Sequence, residues 1–420
     1  MNILVVGGGG REHAIVRCLK KSRRVEKVHC APGNAGISFD AEVHPVSATD
    51  IDGQVKLAKD LGVDLVFVAP DDPLVLGLVD ELEKYGIRAF GPSKSAARIE
   101  GSKVFSKDLM KKYNIPTAGY EVFESPSDAL SYISSQNKYP TVIKADGLAL
   151  GKGVVIAGNY EEAESAIKSI MEDKIFGASG SRVVVEEFLT GPEVSVLSFT
   201  DGKTVVPMVS SMDHKPVFEG NKGPNTGGMG TVSPNPHYTD DIASRCMDEI
   251  FLPTVRAMES EGCPFKGCLY FGLMLTADGP KVIEYNCRFG DPETQVVLPR
   301  LKTDFTEIID AIVDECLDSI NIKWEDGAAA CVILASGGYP GDYIKGIRIN
   351  GLDERGQTQG TEIFHAGTAF RDGTFVTSGG RVLGVSFVGA DLDAALDKAY
   401  KAVDKISFEG MQYRRDIGRM

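Results

Sequence analysis

The chain has 420 residues, of which 43% are hydrophobic and 25% charged, and it carries a formal net charge of −14. The length exceeds what one core can serve and points to roughly two to four domains. The composition excludes extensive disorder, the lack of a long apolar run excludes a membrane-spanning helix, and the acidity excludes nucleic acid and acidic membrane surfaces as partners.

Met1–Val6 lacks a basic start and runs into glycines within one strand's length, so it reads as a first strand rather than a signal peptide. Further strands are expected at Val25–Cys30, Asp64–Val68 and Arg88–Phe90, with helices at Glu12–Lys21, Ile51–Leu61 and Pro73–Tyr85 between them. This alternation predicts a Rossmann-like, doubly wound α/β domain over 1–102. Ser102 is placed to cap a helix over Lys103–Tyr113. From about 117 to 192 smaller elements predict a compact α+β lid: strands at Thr141–Ala145, Val154–Ile156 and Arg182–Glu187, and a helix at Tyr160–Met171. Longer strands follow at Glu193–Thr200, Leu269–Thr276 and Lys281–Tyr285, which completes a central unit over 103–323. The remainder, 324–420, predicts a C-terminal α+β domain with strands at Ala328–Ala335, Ile363–Phe370 and Arg381–Phe387 and a helix at Leu392–Ile406. Cysteines 18, 30, 246, 263, 268, 287, 316 and 331 never fall in a two-residue-spacer pair, which favours reduced thiols and a cytoplasmic location.

Five segments bear on chemistry. Gly7–His13 follows the first strand, where glycines let backbone approach an anion at a helix's positive end. Glu12 occupies the place of the third glycine of a dinucleotide fingerprint, so the turn is either a phosphate cradle or a close-packing turn. In Lys144–Gly153, Gly147 and Gly151 enclose three residues rather than the four of a P-loop, yet a glycine loop beside Lys144 still suits a phosphate. Val183–Leu189, followed by Glu193, forms an apolar strand entering a linker, able to offer backbone groups to an adenine edge and a carboxylate to ribose. Gly223–Gly230, after Asp213-His214-Lys215, is expected to be irregular and ligand-wrapping. In Lys281–Glu293, Glu284, Asn286 and Arg288 alternate on one strand face. The oxygens of the first two suit Mg²⁺ or Mn²⁺ and the guanidinium suits a carboxylate or phosphate. His13, His214 and His365 fall in no metal-ligand spacing and are expected to be hydrogen-bonded structural histidines.

Taken in order, GGGGREHA, APGNAG, FGPSKSAARIEGSK, IKADGLALGKGV, VEEFLTGPEVS, DHK, GPNTGGMG, EYNCRFGDPETQ and ASGGYPGDY resemble the phosphoribosylamine–glycine ligase family of the ATP-grasp superfamily, over essentially the whole chain. The resemblance implies an ATP-grasp core with a small lid between a Rossmann-like and a C-terminal domain. It implies ATP-dependent joining of glycine to 5-phosphoribosylamine, through glycyl phosphate, in purine synthesis. For ATP it implies Lys103, Lys144 and Gly151 near the phosphates, Glu186, Glu187, Phe188 and Leu189 at adenine, and Glu193 at ribose. It implies Glu284 and Asn286 as ligands of Mg²⁺ or Mn²⁺, and Arg288, Asp213, Glu293 and Lys144 as the catalytic set. Lys215, Asn225, Thr226, Gly227, Gly228, Met229 and Gly230 would surround glycine, and Gly9, Gly10, Arg11, Pro70 and Asp71 the ribosylamine phosphate. The partners implied are small molecules only, for a monomer or weak homodimer. Two departures stand out: Ala69-Pro70-Asp71-Asp72 replaces the family's usual Gly-Pro-Glu, and Pro216 replaces the common arginine after Asp-His-Lys. Since the reactants are anions and the chain is acidic, the site is expected to gather a local cluster of cations and metal.

Overall fold

The computed structural model describes residues 1–148, 153–174 and 177–419. Its first layer is a parallel sheet of β1 (Asn2–Gly7), β2 (Lys27–Pro32), β3 (Glu42–Val43), β4 (Leu65–Val68) and β5 (Ala89–Phe90), in the order β3-β2-β1-β4-β5. Ile3 to Val6 and Leu65 to Val68 are buried, as a sheet covered on both faces requires. Helices α1 (Gly10–Leu19), α2 (Ile51–Leu61), α3 (Asp71–Leu76), α4 (Leu78–Lys84) and α5 (Lys94–Gly101) pack around it, and α6 (Lys103–Lys112) leads onward. The single helix expected over 73–85 is two helices, because Gly77 turns left-handed at φ 99° and ends the first. Ser102 caps α6 as expected, its hydroxyl accepting from the Phe105 amide. Helix α5 was not anticipated, although Ser93 caps it in the same way.

The next unit is an antiparallel sheet of β6 (Tyr120–Phe123), β7 (Thr141–Ala145), β8 (Val154–Ala157) and β9 (Val183–Glu187), in the order β6-β9-β7-β8. Helices α7 (Pro126–Gln136) and α8 (Tyr160–Ile167) cover it, the latter continuing in a wider turn through Glu172. Strand β6 and helix α7 were not foreseen; Ser125 caps α7 with Pro126 at its first position.

A second antiparallel sheet holds β10 (Glu193–Asp201), β11 (Val205–Pro207), β16 (Lys266–Thr276) and β17 (Gly279–Asn286), in the order β11-β10-β16-β17. Between its strands the chain forms β12 (Met212–Asp213), β13 (Pro216–Phe218), β14 (Lys222–Asn225), β15 (Gly230–Ser233), α9 (Asp240–Cys246) and α10 (Leu252–Ser260). The segment expected to be irregular therefore carries regular structure at both ends. Gly223–Asn225 pairs with β13 as a ribbon, and Gly230 opens β15. Backbone pairing needs no side chains, so glycine content alone did not exclude it.

After α11 (Thr294–Val297) and α12 (Phe305–Val313), the last segment supplies β18 (Ala328–Ala335), β19 (Glu362–His365), β20 (Thr368–Arg371), β21 (Thr374–Thr377), β22 (Arg381–Gly389) and α13 (Leu392–Val403). The strand expected over 363–370 is broken at Ala366-Gly367, where Gly367 lies against the backbone of Gly379 and Arg381. The third sheet has the order β12-β15-β18-β22-β19, so two strands from the middle of the chain complete a sheet begun by its end.

Phenylalanines join the layers. The rings of Phe67 and Phe90 stack at 4.3 Å, and Phe289 stands 6.1 Å from Phe67, Phe199 and Phe305 alike. Phe289 follows the alternating Glu284, Asn286, Arg288 row, so this buried cluster anchors that row from below. No helix among the described residues is long and apolar enough to cross a membrane. A methyl group at Gly8 would lie 2.5 Å from the Gly33 carbonyl oxygen, against backbone that cannot rotate aside. Gly8→Ala should therefore cost about 1–3 kcal/mol through overpacking, read as an earlier first transition in thermal unfolding.

Candidate active site

One cavity of about 560 Å³ lies where the four larger sheets converge. Strand β17 provides its floor. Pairing with β16 slips between Gly272↔Glu284 and Leu273↔Val282, leaving Ile283 as the extra residue of a bulge. Before the bulge the buried positions are Pro280 and Val282; after it they are Tyr285 and Cys287. The slip thereby turns Glu284, Asn286 and Arg288 together into the cavity. It also frees the Ile283 carbonyl, which accepts from Lys144 Nζ at 3.0 Å.

On the lid side, Glu186 Oε2 receives both Lys107 Nζ at 2.9 Å and Lys144 Nζ at 3.0 Å. Its Oε1 is buried without a hydrogen-bond partner among the described residues. Burial lowers Lys107 to about 8 even though Glu186 opposes the change. Lys103 Nζ donates to the Gly147 carbonyl at 2.8 Å, and Asp146 accepts from Ser102 Oγ, the Val104 amide and Arg182, tying the lid strand to the start of α6. Glu187, Phe188, Leu189 and Glu193 also line the cavity. Gly151 lies outside the described residues.

Glu284 and Lys215 form the centre of the charge pattern. Lys215 Nζ stands 3.6 Å from Glu284 Oε1 and 3.9 Å from Glu193 Oε2, and is raised well above its ordinary value, chiefly by Glu284. Burial pushes Glu284 up, but Lys215, Lys144, Lys103 and Arg288 together hold it at about 2. Its carboxylate is thus ionised throughout the neutral range. Asn286 Oδ1 accepts from Arg288 Nη2 at 3.1 Å. Two hard oxygen groups on one strand face, one firmly charged, fit a divalent ion of the Mg²⁺ or Mn²⁺ class.

Arg288 is held from the first domain: Nη2 donates to Glu100 Oε1 at 2.9 Å, and Asp71 Oδ2 is 4.0 Å away. Glu100 also accepts from the Cys287 amide at 2.7 Å. On the opposite wall, Glu293 Oε1 accepts from Tyr270 at 3.1 Å and from Ser195 at 3.3 Å. Burial raises Asp213 well above the carboxylate range, and the charge of Glu293 adds to it.

The glycine-rich segment is gripped from two sides. Thr226 donates through its amide and hydroxyl to the Lys215 carbonyl, and Gly227 donates to Tyr339 Oη at 2.9 Å. Arg381 Nη1 reaches the carbonyls of Gly227 and Asp291 at 2.5 and 2.6 Å. Asn225, Thr226 and Gly227 line the cavity, as do Arg11 and Asp71. Gly228, Met229 and Gly230 stand behind it: Gly228 abuts Asp213, Met229 is fully buried, and Gly230 pairs with Val332. Gly9 and Gly10 also lie outside the lining, beside Asp291, and Pro70 precedes α3 as its cap residue.

Glu100, Lys107, Tyr270, Asp291, Tyr339 and Arg381 line the cavity without having been singled out. Lys107 was readable, one helical turn beyond Lys103 on the same face of α6. The expected cation cluster is present but outnumbered among the described residues, where the lining carries seven lysines and arginines against nine aspartates and glutamates. His13, His214 and His365 are buried and hydrogen-bonded, as anticipated.

Family models described as the N, ATP-grasp (A) and C domains of phosphoribosylglycinamide synthetase match residues 1–100, 101–294 and 329–420. The chain belongs to the phosphoribosylglycinamide synthetase family. It is 50% identical to the phosphoribosylamine–glycine ligase of Caldanaerobacter subterraneus, with 99% of each chain covered. The crystal structure of phosphoribosylamine–glycine ligase from Thermotoga maritima superposes with a TM-score of 0.85 at 35% identity, over 99% of this chain and 100% of that one. The biotin carboxylase domain of the Hydrogenobacter thermophilus 2-oxoglutarate carboxylase shares the fold, with a TM-score of 0.75 at 16% identity over 98% and 91% of the two chains.

Burial lifts Glu100 to about 6 against the opposing pull of Arg288. Above that pH it is ionised and pairs with Arg288; as pH falls through about 6 it takes up a proton and the attraction is lost. The pH profile of kcat/KM for ADP release should show an acid-side inflection near this value that Glu100→Gln lacks.

Proposed function

We propose that this chain joins glycine to 5-phosphoribosylamine with ATP, giving glycinamide ribonucleotide, ADP and phosphate in purine synthesis, as a cytoplasmic enzyme acting on small molecules. The observation that carries this reading is the Glu284–Asn286–Arg288 face, turned by the bulge toward Lys144 and Lys103 on one side and Asp213 and Glu293 on the other.

A glycine carboxylate is a poor electrophile, because attack on it would expel oxide. Activation by the γ-phosphoryl of ATP produces glycyl phosphate and ADP; the neutral amine of phosphoribosylamine then attacks the carbonyl carbon and phosphate leaves. The chain's work is to place the groups and balance their charge. Glu186 Oε1, buried and unpartnered among the described residues, is the acceptor that an adenine amino group needs, with Glu187, Phe188 and Leu189 beside it. Glu193, half-exposed at the rim, faces the ribose hydroxyls. Lys103 and Lys144 hold the phosphates, together with Gly151, which lies outside the described residues. Glu284 and Asn286 would hold Mg²⁺ or Mn²⁺, which when bound neutralises phosphate oxygens and draws the carboxylate and triphosphate together.

Asp213 and Glu293 form the corner for the glycine ammonium, whose positive charge offsets the burial and the Glu293 repulsion that lift Asp213. Asn225, Thr226 and Gly227, backed by Gly228, Met229 and Gly230, cover the amino acid, with Lys215 at its carboxylate side. Arg288 is aimed at the developing acyl phosphate, while Arg11, Asp71 and the turns at Gly9, Gly10 and Pro70 face the ribosylamine phosphate. Closure of the lid keeps water from the anhydride.

Continuous ADP release should require both glycine and the amine, measured in a coupled assay; glycine-independent release would overturn the assignment. Glu284→Ala should lower kcat by about 10²-fold or more with unchanged circular dichroism; near-normal activity at saturating Mg²⁺ would remove it as a ligand. Arg288→Lys should lose about as much as Arg288→Ala, since a point charge cannot reproduce the guanidinium fork.

A further inference from the structure

Three of the six histidines, His13, His214 and His365, are buried and engaged in hydrogen bonds, but His29 and His44 form a different arrangement. They lie at the outer edge of the parallel sheet. His29 on β2 is in register with Glu42 on β3, and the His44 amide continues that ladder by donating to the Cys30 carbonyl. Residues 42 and 44 share a strand face, so Glu42 and His44 both turn toward His29. His29 Nδ1 stands 3.0 Å from His44 Nε2, while Glu42 oxygens lie 3.9 Å from the first nitrogen and 4.0 Å from the second. One ligating atom from each residue falls within 4.8 Å of the others.

We propose that His29, Glu42 and His44 bind one borderline divalent cation of the zinc class. Two nitrogens about 2.0–2.1 Å from a tetrahedral ion are about 3.3 Å apart, so the imidazoles need to part by only a few tenths of an ångström. Glu42 must draw in further, and it is free to do so because its side chain is half-exposed. Its present partner, Lys27, is itself 53% exposed, which makes that ion pair a weak competitor. The donor set decides the class of ion: two imidazoles and one carboxylate favour Zn²⁺, Co²⁺ or Ni²⁺ over Mg²⁺ and Mn²⁺, the reverse of the all-oxygen Glu284–Asn286 pair.

Neither histidine nor Glu42 lines the cavity described above, so the proposal rests on none of the roles given there. The consequence is structural. Strand β3 is an edge of two residues held by one short ladder, and a bound ion fastens it to β2 while covering part of the exposed sheet edge.

The test uses the full chain, stripped with chelator and carrying Cys316→Ser to remove its exposed thiol. Titration with Co²⁺ should give the visible bands of a four-coordinate ion, saturating at one equivalent, displaced by Zn²⁺ and unaffected by excess Mg²⁺. His44→Ala and Glu42→Gln should each weaken binding by at least about tenfold, and Lys27→Ala should tighten it. Zn²⁺ should raise the melting temperature of the parent but not of His44→Ala. His44 is partly exposed at the edge, so this variant keeps the test clear of misfolding, and metal-free melts of the two proteins check that. Absence of saturable binding at one equivalent, or a His44→Ala chain that binds Co²⁺ as tightly as its parent, would overturn the proposal.

Discussion

The active cavity depends on how carboxylates and cations share a confined space. Among the described residues its lining holds more acidic than basic side chains, in a chain that is already strongly acidic. Nearly every cation is matched: Lys107 and Lys144 with Glu186, Lys215 with Glu193 and Glu284, Arg288 with Glu100 and Asp71, Arg381 with Asp291. Two like charges 4 Å apart repel by about 4 kcal/mol at an effective dielectric of 20, so a triphosphate and a carboxylate cannot meet here on protein charge alone. The cations that are present keep Glu284 ionised. Lys215, Lys144, Lys103 and Arg288 hold it at about 2 against the opposing effect of burial.

Geometry makes that arrangement durable. The bulge at Ile283 reorients three functional side chains and exposes a carbonyl that steadies Lys144. One residue beyond Arg288, Phe289 sinks into an aromatic cluster built from the parallel-sheet unit and the central unit. A shift of β17 along its neighbour would therefore have to unpack Phe67, Phe199 and Phe305 as well. Rigid placement of this kind is what catalysis by positioning requires.

Much of this was legible from residue order. Glu284, Asn286 and Arg288 stood out because strand alternation is local, and Ser102 because capping is local as well. The bulge itself was hidden, since Ile283 looks like any other β-branched strand residue. Glu100 and Arg381 escaped for another reason: each meets its partner across a long sequence separation, Arg288 for the first and Gly227 for the second. No periodicity reports a contact of that range. The Gly223–Gly230 stretch was read for its content of glycine, yet it is backbone pairing with β13 and β18 that shapes it. The break at Gly77 was visible in principle, as a glycine between two short amphipathic turns.

The third sheet bears on how the molecule is made. Strands β12 and β15 bracket the glycine-rich ribbon, and β15 finds its second neighbour only in Ala328–Ala335. Arg381 and Tyr339, which grip Gly227, are synthesised later still. During translation the lid sheet and the parallel sheet are complete while the glycine ribbon still lacks its backing. Residues 324–420 emerge after both of those sheets and supply the strand and side chains that back the ribbon, so a chain truncated before Ala328 would keep its lid sheet but lack that wall.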